Sequence, residues 1–378
     1  MPARDPAQLV NLPRLERLMD EARLDALVVR SGHNFTYLSG VVYPGTLARH
    51  QDFADSPRAV LLVWPRHGKP TIVTNTTAAG LVKRDSWVER VEIYEGYVDR
   101  PYATLARVLN EQGLAKARVG FEKNVVSAAD WEVVASALPE LAMIDCVELM
   151  DRVRWVKTPA EIAKLKAGAD LLDDAYAEVF ATIKDGDTER SVHTKLVERC
   201  LAKGCGWVHG ILNSSTNTIS YAGEGDTRFR RGDVVRTDYV AYLDGYPGHQ
   251  SRNAILGPAS DTQRREYATT LDIYRRSIDR CRAGTTAGEV YDYVVREFAK
   301  VGWQYTNILI GHGVGSWWHQ QAPILSRGND TVLEPGMVLA LEPARHHWHI
   351  QDMIVVNDGA PTLISDKLST DAPFIISI

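Results

Sequence analysis

Apolar positions recur along this chain with two different periods. Over Leu15 to Ala26 they line one face of a helix, and Leu24 to Arg30 then reads as a short buried strand. Ala59 to Trp64 and Pro70 to Val73 predict two more strands around a turn at His67-Gly68. Ala103 to Gln112 predicts a helix stopped by Gly113, and Arg118 to Phe121 a further strand. Helices and strands alternate to about residue 150, the pattern of a layered α/β domain, and no phosphate-binding glycine loop interrupts it. A boundary is expected between Met150 and Lys157, dividing the chain into residues 1–150 and 151–378. Beyond it, Thr158-Pro159-Ala160-Glu161 supplies a capping box with proline at the first helical position. The helix it opens is expected to reach about Ile183, with Ile162, Leu165, Ala169, Leu172 and Ala175 on its apolar stripe.

The second region carries an internal echo. Gly186-Asp187-Thr188 precedes a helical pattern with Val192, Leu196 and Cys200, closing at Gly204 and Trp207. Gly284-Thr285-Thr286, 98 residues downstream, precedes one with Val290, Val294 and Phe298, closing at Gly302 and Trp303. A duplicated unit of this kind predicts two similar halves around a shared cleft.

Composition narrows the function class. The 378 residues hold 43 Lys and Arg against 48 Asp and Glu, a net charge of −5, which gives no basic footprint for nucleic acid. The longest clear apolar run, Ala59 to Trp64, falls far short of the ~20 residues of a membrane span. Met1 to Val10 contains Arg4 and Asp5 and does not read as a signal peptide. Cys146, Cys200, Cys205 and Cys281 form no CxxC pair and no disulfide framework, so a reducing cytoplasm is the expected compartment.

The chemistry concentrates in the second half. Gly232 to Tyr242 reads as a strand carrying Asp238, and Asp244-Gly245 is a two-residue hairpin turn. That turn sets Leu243 against Tyr246 and Asp238 against Ser251, with His249 diagonal to Asp238 on the same face. Gly311-His312-Gly313-Val314-Gly315 reads as a loop that approaches something closely, followed by Trp317, Trp318 and His319. Glu334-Pro-Gly-Met337 leads into an apolar strand, Val338 to Leu341, closed by Glu342. In the strand after Arg345, His347, His349 and Gln351 share one face, and Trp348, Ile350 and Asp352 the other.

These motifs, in this order, resemble the pita-bread family, which includes methionine aminopeptidase, aminopeptidase P, prolidase and creatinase. The resemblance rests on Asn34-Phe-Thr-Tyr-Leu-Ser-Gly40, Lys157-Thr-Pro-Ala-Glu-Ile162, Gly245-Tyr followed by Arg252, Gly311-His-Gly-Val-Gly315 and Glu334-Pro-Gly-Met337. It implies an α/β amino-terminal domain of the creatinase/prolidase kind and a carboxy-terminal pita-bread domain with internal duplication. It also implies a homodimer in which the amino-terminal domain covers the partner's cleft; Arg49, His50 and Asp52, in the polar segment from Tyr43 to Arg58, read either as lid residues or as part of a solvated loop.

Peptidases of the family hold two cations on two Asp, one His and two Glu. Here Asp238, His312 and Glu342 match, while His249 stands at the second Asp position and Gln351 at the last Glu. His319 matches the histidine that assists the substrate carbonyl, and a further family histidine is replaced near Tyr221. Two carboxylates neutralise one divalent cation, not two. The expectation is therefore no metal, or one Zn, Mn or Fe ion, and no dinuclear cluster. The first reading is creatinase-like hydrolysis of a C–N bond in a small molecule, with His312, His319 and Glu342 catalytic and Arg252, Arg345, His349, Tyr221 and Trp317 on the substrate. Its alternatives are an Xaa-Pro dipeptidase or aminopeptidase with a reduced metal site, a lyase on a small zwitterion, and a non-catalytic binding module. Trp317, Trp318 and Trp348 are candidates for an aromatic wall.

Overall fold

The computed structural model describes residues 6–42, 57–219 and 225–378. The expected lid residues Arg49, His50 and Asp52, and also Tyr221, lie outside the described residues. The chain divides into two units, Met1–Arg154 and Trp155–Ile378. Among the described residues no helix is long and apolar enough to cross a membrane.

The first unit is built on a six-stranded sheet. Its strands are β1 (Ala26–Arg30), β2 (Leu61–Pro65), β3 (Thr71–Asn75), β4 (Arg90–Tyr94), β5 (Arg118–Phe121) and β6 (Ala142–Asp145), in the spatial order β4-β3-β2-β1-β5-β6. The first long helix is Leu12–Glu21, earlier than the apolar pattern suggested. Asn11 caps it through Arg14 N, and Arg23, at φ 54°, turns the chain before β1. The division between the units falls within the expected Met150–Lys157 stretch, at the end of a helix, Val147–Trp155.

The Asn34 motif forms a short helix, His33–Ser39, closed by Gly40 at φ 76°. Asn34 Nδ2 donates to the buried Glu122 at 2.6 Å, and Arg154 Nε donates to Asn34 Oδ1 at 2.6 Å. Arg30 N donates to the other Glu122 oxygen at 2.6 Å. The motif therefore satisfies a buried carboxylate and holds the unit's core together.

The second unit shows the predicted duplication. The helices Pro159–Phe180 and Glu189–Ala202 cover a sheet of β7 (Trp207–Ser214), β8 (Val234–Leu243), β9 (Tyr246–Gln250), β10 (Asn253–Leu256) and, from the chain's end, β18 (Phe374–Ile376). The helices Asp261–Ile278 and Ala287–Lys300 cover β11 (Leu309–Gly313), β12 (Gln321–Ser326), β13 (Val338–Leu341), β16 (Asp352–Val355) and β17 (Thr362–Leu363). A small hairpin, β14 (Ala344–Arg345) and β15 (Trp348–His349), stands apart. Each half has its own apolar core. The two Gly-x-Thr starts are used alike: Gly186 N donates to Phe229 O at 2.8 Å and Gly284 N to Leu333 O at 2.9 Å.

The capping box forms, with Thr158 accepting from Glu161 N and Glu161 from Thr158 N, and that helix ends at Phe180, three residues before Ile183. The hairpin register is Leu243 to Tyr246 and Tyr239 to Gln250, with Asp244 and Gly245 at φ 51° and 79°. The Gly-His-Gly segment, expected as a loop, is strand β11. A Cβ on Gly311 would lie 2.3 Å from Ala340 O, and one on Gly313 2.3 Å from Ala322 O, so only glycine lets these strands close.

The β9 strand presses directly on the Pro159–Phe180 helix. A Cβ on Gly248 would stand 2.1 Å from Gly168 O, and one on Gly168 2.7 Å from Gly248 N. Both contacts are backbone, which cannot move aside without shifting the whole hairpin. Gly248→Ala is expected to lower unfolding stability by about 3 kcal/mol, read by urea denaturation, whereas Gly80→Ala, with open space around it, stays near wild type.

Candidate metal and active site

The cleft of the second unit is floored by one face of β7, β8 and β9. Paired residues share a face, so Trp207, His209, Ile211 and Asn213 lie beside Arg236, Asp238, Val240 and Tyr242. His249, opposite Val240, belongs to the same face. The opposite wall comes from β11, from Glu342 after β13, and from His349 and Gln351. Ser251 N donates to Gln351 O at 3.2 Å, so the two sheets touch at the site.

The hydrogen bonds fix the proton positions on three imidazoles. His249 Nδ1 lies 3.2 Å from Tyr239 O, a pure acceptor, so its proton is on Nδ1 and its Nε2 carries a lone pair. Gln351 Nε2 donates to that lone pair at 2.8 Å. Gln351 Oε1 then accepts the Ser251 hydroxyl proton at 2.7 Å, which leaves the hydroxyl oxygen to accept from His349 Nδ1 at 3.3 Å. His312 Nδ1 donates to Gly313 O at 3.0 Å. In their neutral forms His249, His312 and His349 each turn the Nε2 lone pair inward.

Those nitrogens meet a carboxylate. His249 Nε2 and His312 Nε2 are 3.3 Å apart, and Glu342 lies 3.8 Å from His312 Nε2 and 3.4 Å from His349 Nε2. In the neutral forms the two lone pairs repel at that distance unless a proton or a metal cation stands between them. The atoms of His249, His312 and Glu342 fall within 4.8 Å of one another, as do those of Asp238, Glu342 and His349. Two imidazoles with a carboxylate are a donor set that suits zinc, manganese or iron. Burial, followed by the neighbouring His312, holds His249 well below the usual histidine range.

His319 completes the cluster. Its backbone N donates to the Tyr242 hydroxyl at 3.2 Å, and that hydroxyl meets His319 Nδ1 at 3.1 Å. The phenol's one proton goes to Nδ1, so His319 carries its own proton on Nε2. Burial, then the adjacent His249, lowers its pKa to about 2, which keeps the ring neutral. Its ring stands edge-on to His249, with centroids 4.7 Å apart.

Other expected site residues are placed elsewhere. Arg252 grips no ligand: it is buried, bonding Asp173 and Asp352 at 3.0 and 2.9 Å and the carbonyls of Ser251, Gln351 and Ser365. Arg345 lies 3.6 Å from Glu266 and 3.5 Å above the Trp303 ring, so its charge is already matched. Trp348 is fully buried in the second-half core, with its indole N–H on Glu266. Trp317 sits at φ 66° and donates its backbone N to Gly245 O at 2.7 Å. The aromatic wall is instead Trp207, stacked on Tyr242 at 4.9 Å, with His209 and Trp318 stacked beyond it. The sequence reading missed Trp207 and His209. Their alternation with Ile211 on the strand paired to β8 was the available signal. His347 forms the β14–β15 turn with its ring on Trp348, outside the cluster.

The sequence pattern of metallopeptidase family M24 matches residues 163–358, and that of the creatinase/prolidase amino-terminal domain residues 12–156. The chain is 26% identical over 348 residues to an Xaa-Pro dipeptidase of Lactobacillus helveticus, covering 88% of this chain and 89% of that one. It is 25% identical over 368 residues to the creatinase of a Bacillus species, covering 92% and 83%. The crystal structure of dipeptidase PepE from Mycobacterium ulcerans superposes over the full length of both chains, with a TM-score of 0.80 at 24% identity.

Because His249 is held neutral when folded, the unfolded chain protonates it first as pH falls. Its contribution is complete above about pH 6.5 and decays below it. In chelator-treated protein, unfolding stability is expected to drop below pH 6.5 by about 1.4 kcal/mol per pH unit for this one group. His249→Asn should flatten the profile by that amount in denaturant titrations at a series of pH values.

Proposed function

The chain belongs to metallopeptidase family M24, and from that premise we propose that it hydrolyses the C–N bond of a small dipeptide of the Xaa-Pro kind at a site holding one divalent cation. The supporting observation is the 3.3 Å approach of the His249 and His312 Nε2 atoms beside Glu342. His249, His312 and Glu342 would hold the ion, with Asp238 and His349 on the other side of Glu342. The ion supplies Lewis acidity toward the reacting carbonyl. Asp238 and Glu342 bring two negative charges, which balance one divalent cation; His249 and Gln351 bring none. The creatinase-like reaction that the sequence put first gives way to its dipeptidase alternative, because the relatives and structural neighbours are named mainly as Xaa-Pro dipeptidases and prolidases.

The chain's own groups divide the remaining work. His319, its Nδ1 occupied by Tyr242, presents Nε2–H as a donor for the carbonyl oxygen as negative charge develops there. Glu342 accepts a proton from the attacking water, and His349 Nε2, 3.4 Å away, can carry it to the departing amide nitrogen as the C–N bond breaks. Trp207, Tyr242 and Trp318 supply flat apolar surface beside His319 for a proline ring.

The test is hydrolysis of Gly-Pro, Ala-Pro and creatine by metal-depleted protein and by protein reloaded with zinc, manganese or iron. Dipeptide cleavage is expected only in the reloaded protein. Glu342→Gln should lose it entirely, and His319→Ala should lower kcat by roughly 10²–10⁴. Creatine cleavage that survives chelation, with no dipeptide turnover, would reinstate the creatinase-like reading.

A further inference from the structure

One polar pair on the cleft face has no use in the scheme above. Asn213 on β7 is opposite Arg236 on β8, and both share the face of Asp238. Asn213 is only 4% exposed, yet neither its amide nitrogen nor its oxygen has a hydrogen-bond partner. Arg236 is half-buried, its Nε is sealed from solvent without a partner, and among the described residues its side chain forms no hydrogen bond or ion pair. Burying such groups unsatisfied costs roughly 1–3 kcal/mol each, more for a charge. Asn253, the neighbour of Arg236 on β10, does not help, because its amide is spent on Val235 O, His347 O and His349 N.

The position of the pair is as specific as its lack of partners. Val234, two residues before Arg236, is packed in the second-half core, and Asp238, two residues after it, is in the metal cluster. Arg236 and Asn213 therefore lie on the cleft face between the core and the Asp238 cluster.

We propose that Arg236 and Asn213 are a carboxylate-binding subsite, which rests on the dipeptidase reading and assigns the free carboxylate of the substrate to them. Arg236 lies two strand residues, about 6.5–7 Å, from Asp238. In a dipeptide the scissile carbon and the terminal carboxylate carbon are about 3.5–4 Å apart. The Arg236 guanidinium, on a long flexible side chain one step along the same face, can reach a carboxylate held that far from a carbon over the cluster. The guanidinium takes one carboxylate oxygen, and the Asn213 amide N–H takes the other. A fixed positive charge here also opposes a second cation beside Asp238. The subsite thereby selects substrates ending in a free carboxylate over amides or longer peptides.

The test is binding rather than turnover. Isothermal calorimetry on the metal-loaded chain compares proline with prolinamide, and N-acetylglycine with N-acetylglycinamide, in wild type, Arg236→Gln, Arg236→Lys and Asn213→Leu. Wild type is expected to prefer each carboxylate about 10- to 100-fold. Arg236→Gln should erase that preference, Arg236→Lys should keep part of it, and Asn213→Leu should reduce it. Circular dichroism establishes that each variant is folded. Should Arg236→Gln not fold, Arg236→Lys and the wild-type comparison still decide the matter. Preference for N-acetylglycine without any binding of proline upholds the subsite while removing the Xaa-Pro reading. Equal binding of acid and amide in wild type, a preference unchanged in Arg236→Gln, or no binding of either acid overturns it.

Discussion

A single buried guanidinium holds the two halves of the catalytic unit in register. Arg252 bonds Asp173 from a first-half helix and Asp352 from a second-half strand, and it donates to the carbonyls of Ser251 and Gln351, the residues through which the sheets meet. Removing one member would leave an uncompensated charge in the interior, a loss of roughly 3–5 kcal/mol. The cost reflects more than stability. Ser251 and Gln351 are also links in the hydrogen-bond chain that sets the imidazole tautomers. Asp352, which burial drives up and Arg252 drives down, also accepts from Tyr274 and Ser365, so its position is determined from several sides.

From that anchor the site's chemistry follows in order. The Gln351 amide, where the family's peptidases resemble one another in having a carboxylate, donates a proton toward His249 instead of offering charge to an ion. His249, replacing the other carboxylate, has its proton fixed outward by Tyr239 O. The two departures are coupled: the Gln351 amide N–H takes the His249 lone pair as its acceptor, and a cation that claims that lone pair has to turn the amide away from it. Where the resemblance implied a set for two cations, this pocket gathers imidazoles and an amide around Asp238 and Glu342.

Much of this was legible in the chain. The capping box at Thr158, the turn at Asp244-Gly245 and the resulting register fixed where His249 lies relative to Asp238, since local turn chemistry leaves little freedom. The duplication was visible because both halves reuse the same Gly-x-Thr start. What escaped were properties set by long-range packing. Arg252 and Arg345 read as free cations, because nothing local announces Asp173, Asp352, Glu266 or the Trp303 ring. Trp348 read equally as wall, core or dimer contact and proved to be core, since strand alternation gives two faces without saying which is outward. His209, Asn213 and Arg236 gained meaning only once β7 was paired with β8.

The central claim is that the inward-facing imidazoles and Glu342 hold one cation. The most direct measurement is anomalous diffraction from crystals soaked in zinc, collected on both sides of the zinc absorption edge. One peak per chain within coordination distance of His249 Nε2, His312 Nε2 and Glu342 is the predicted result. Two comparable peaks bridged by Glu342, or none at saturating zinc, would contradict the account.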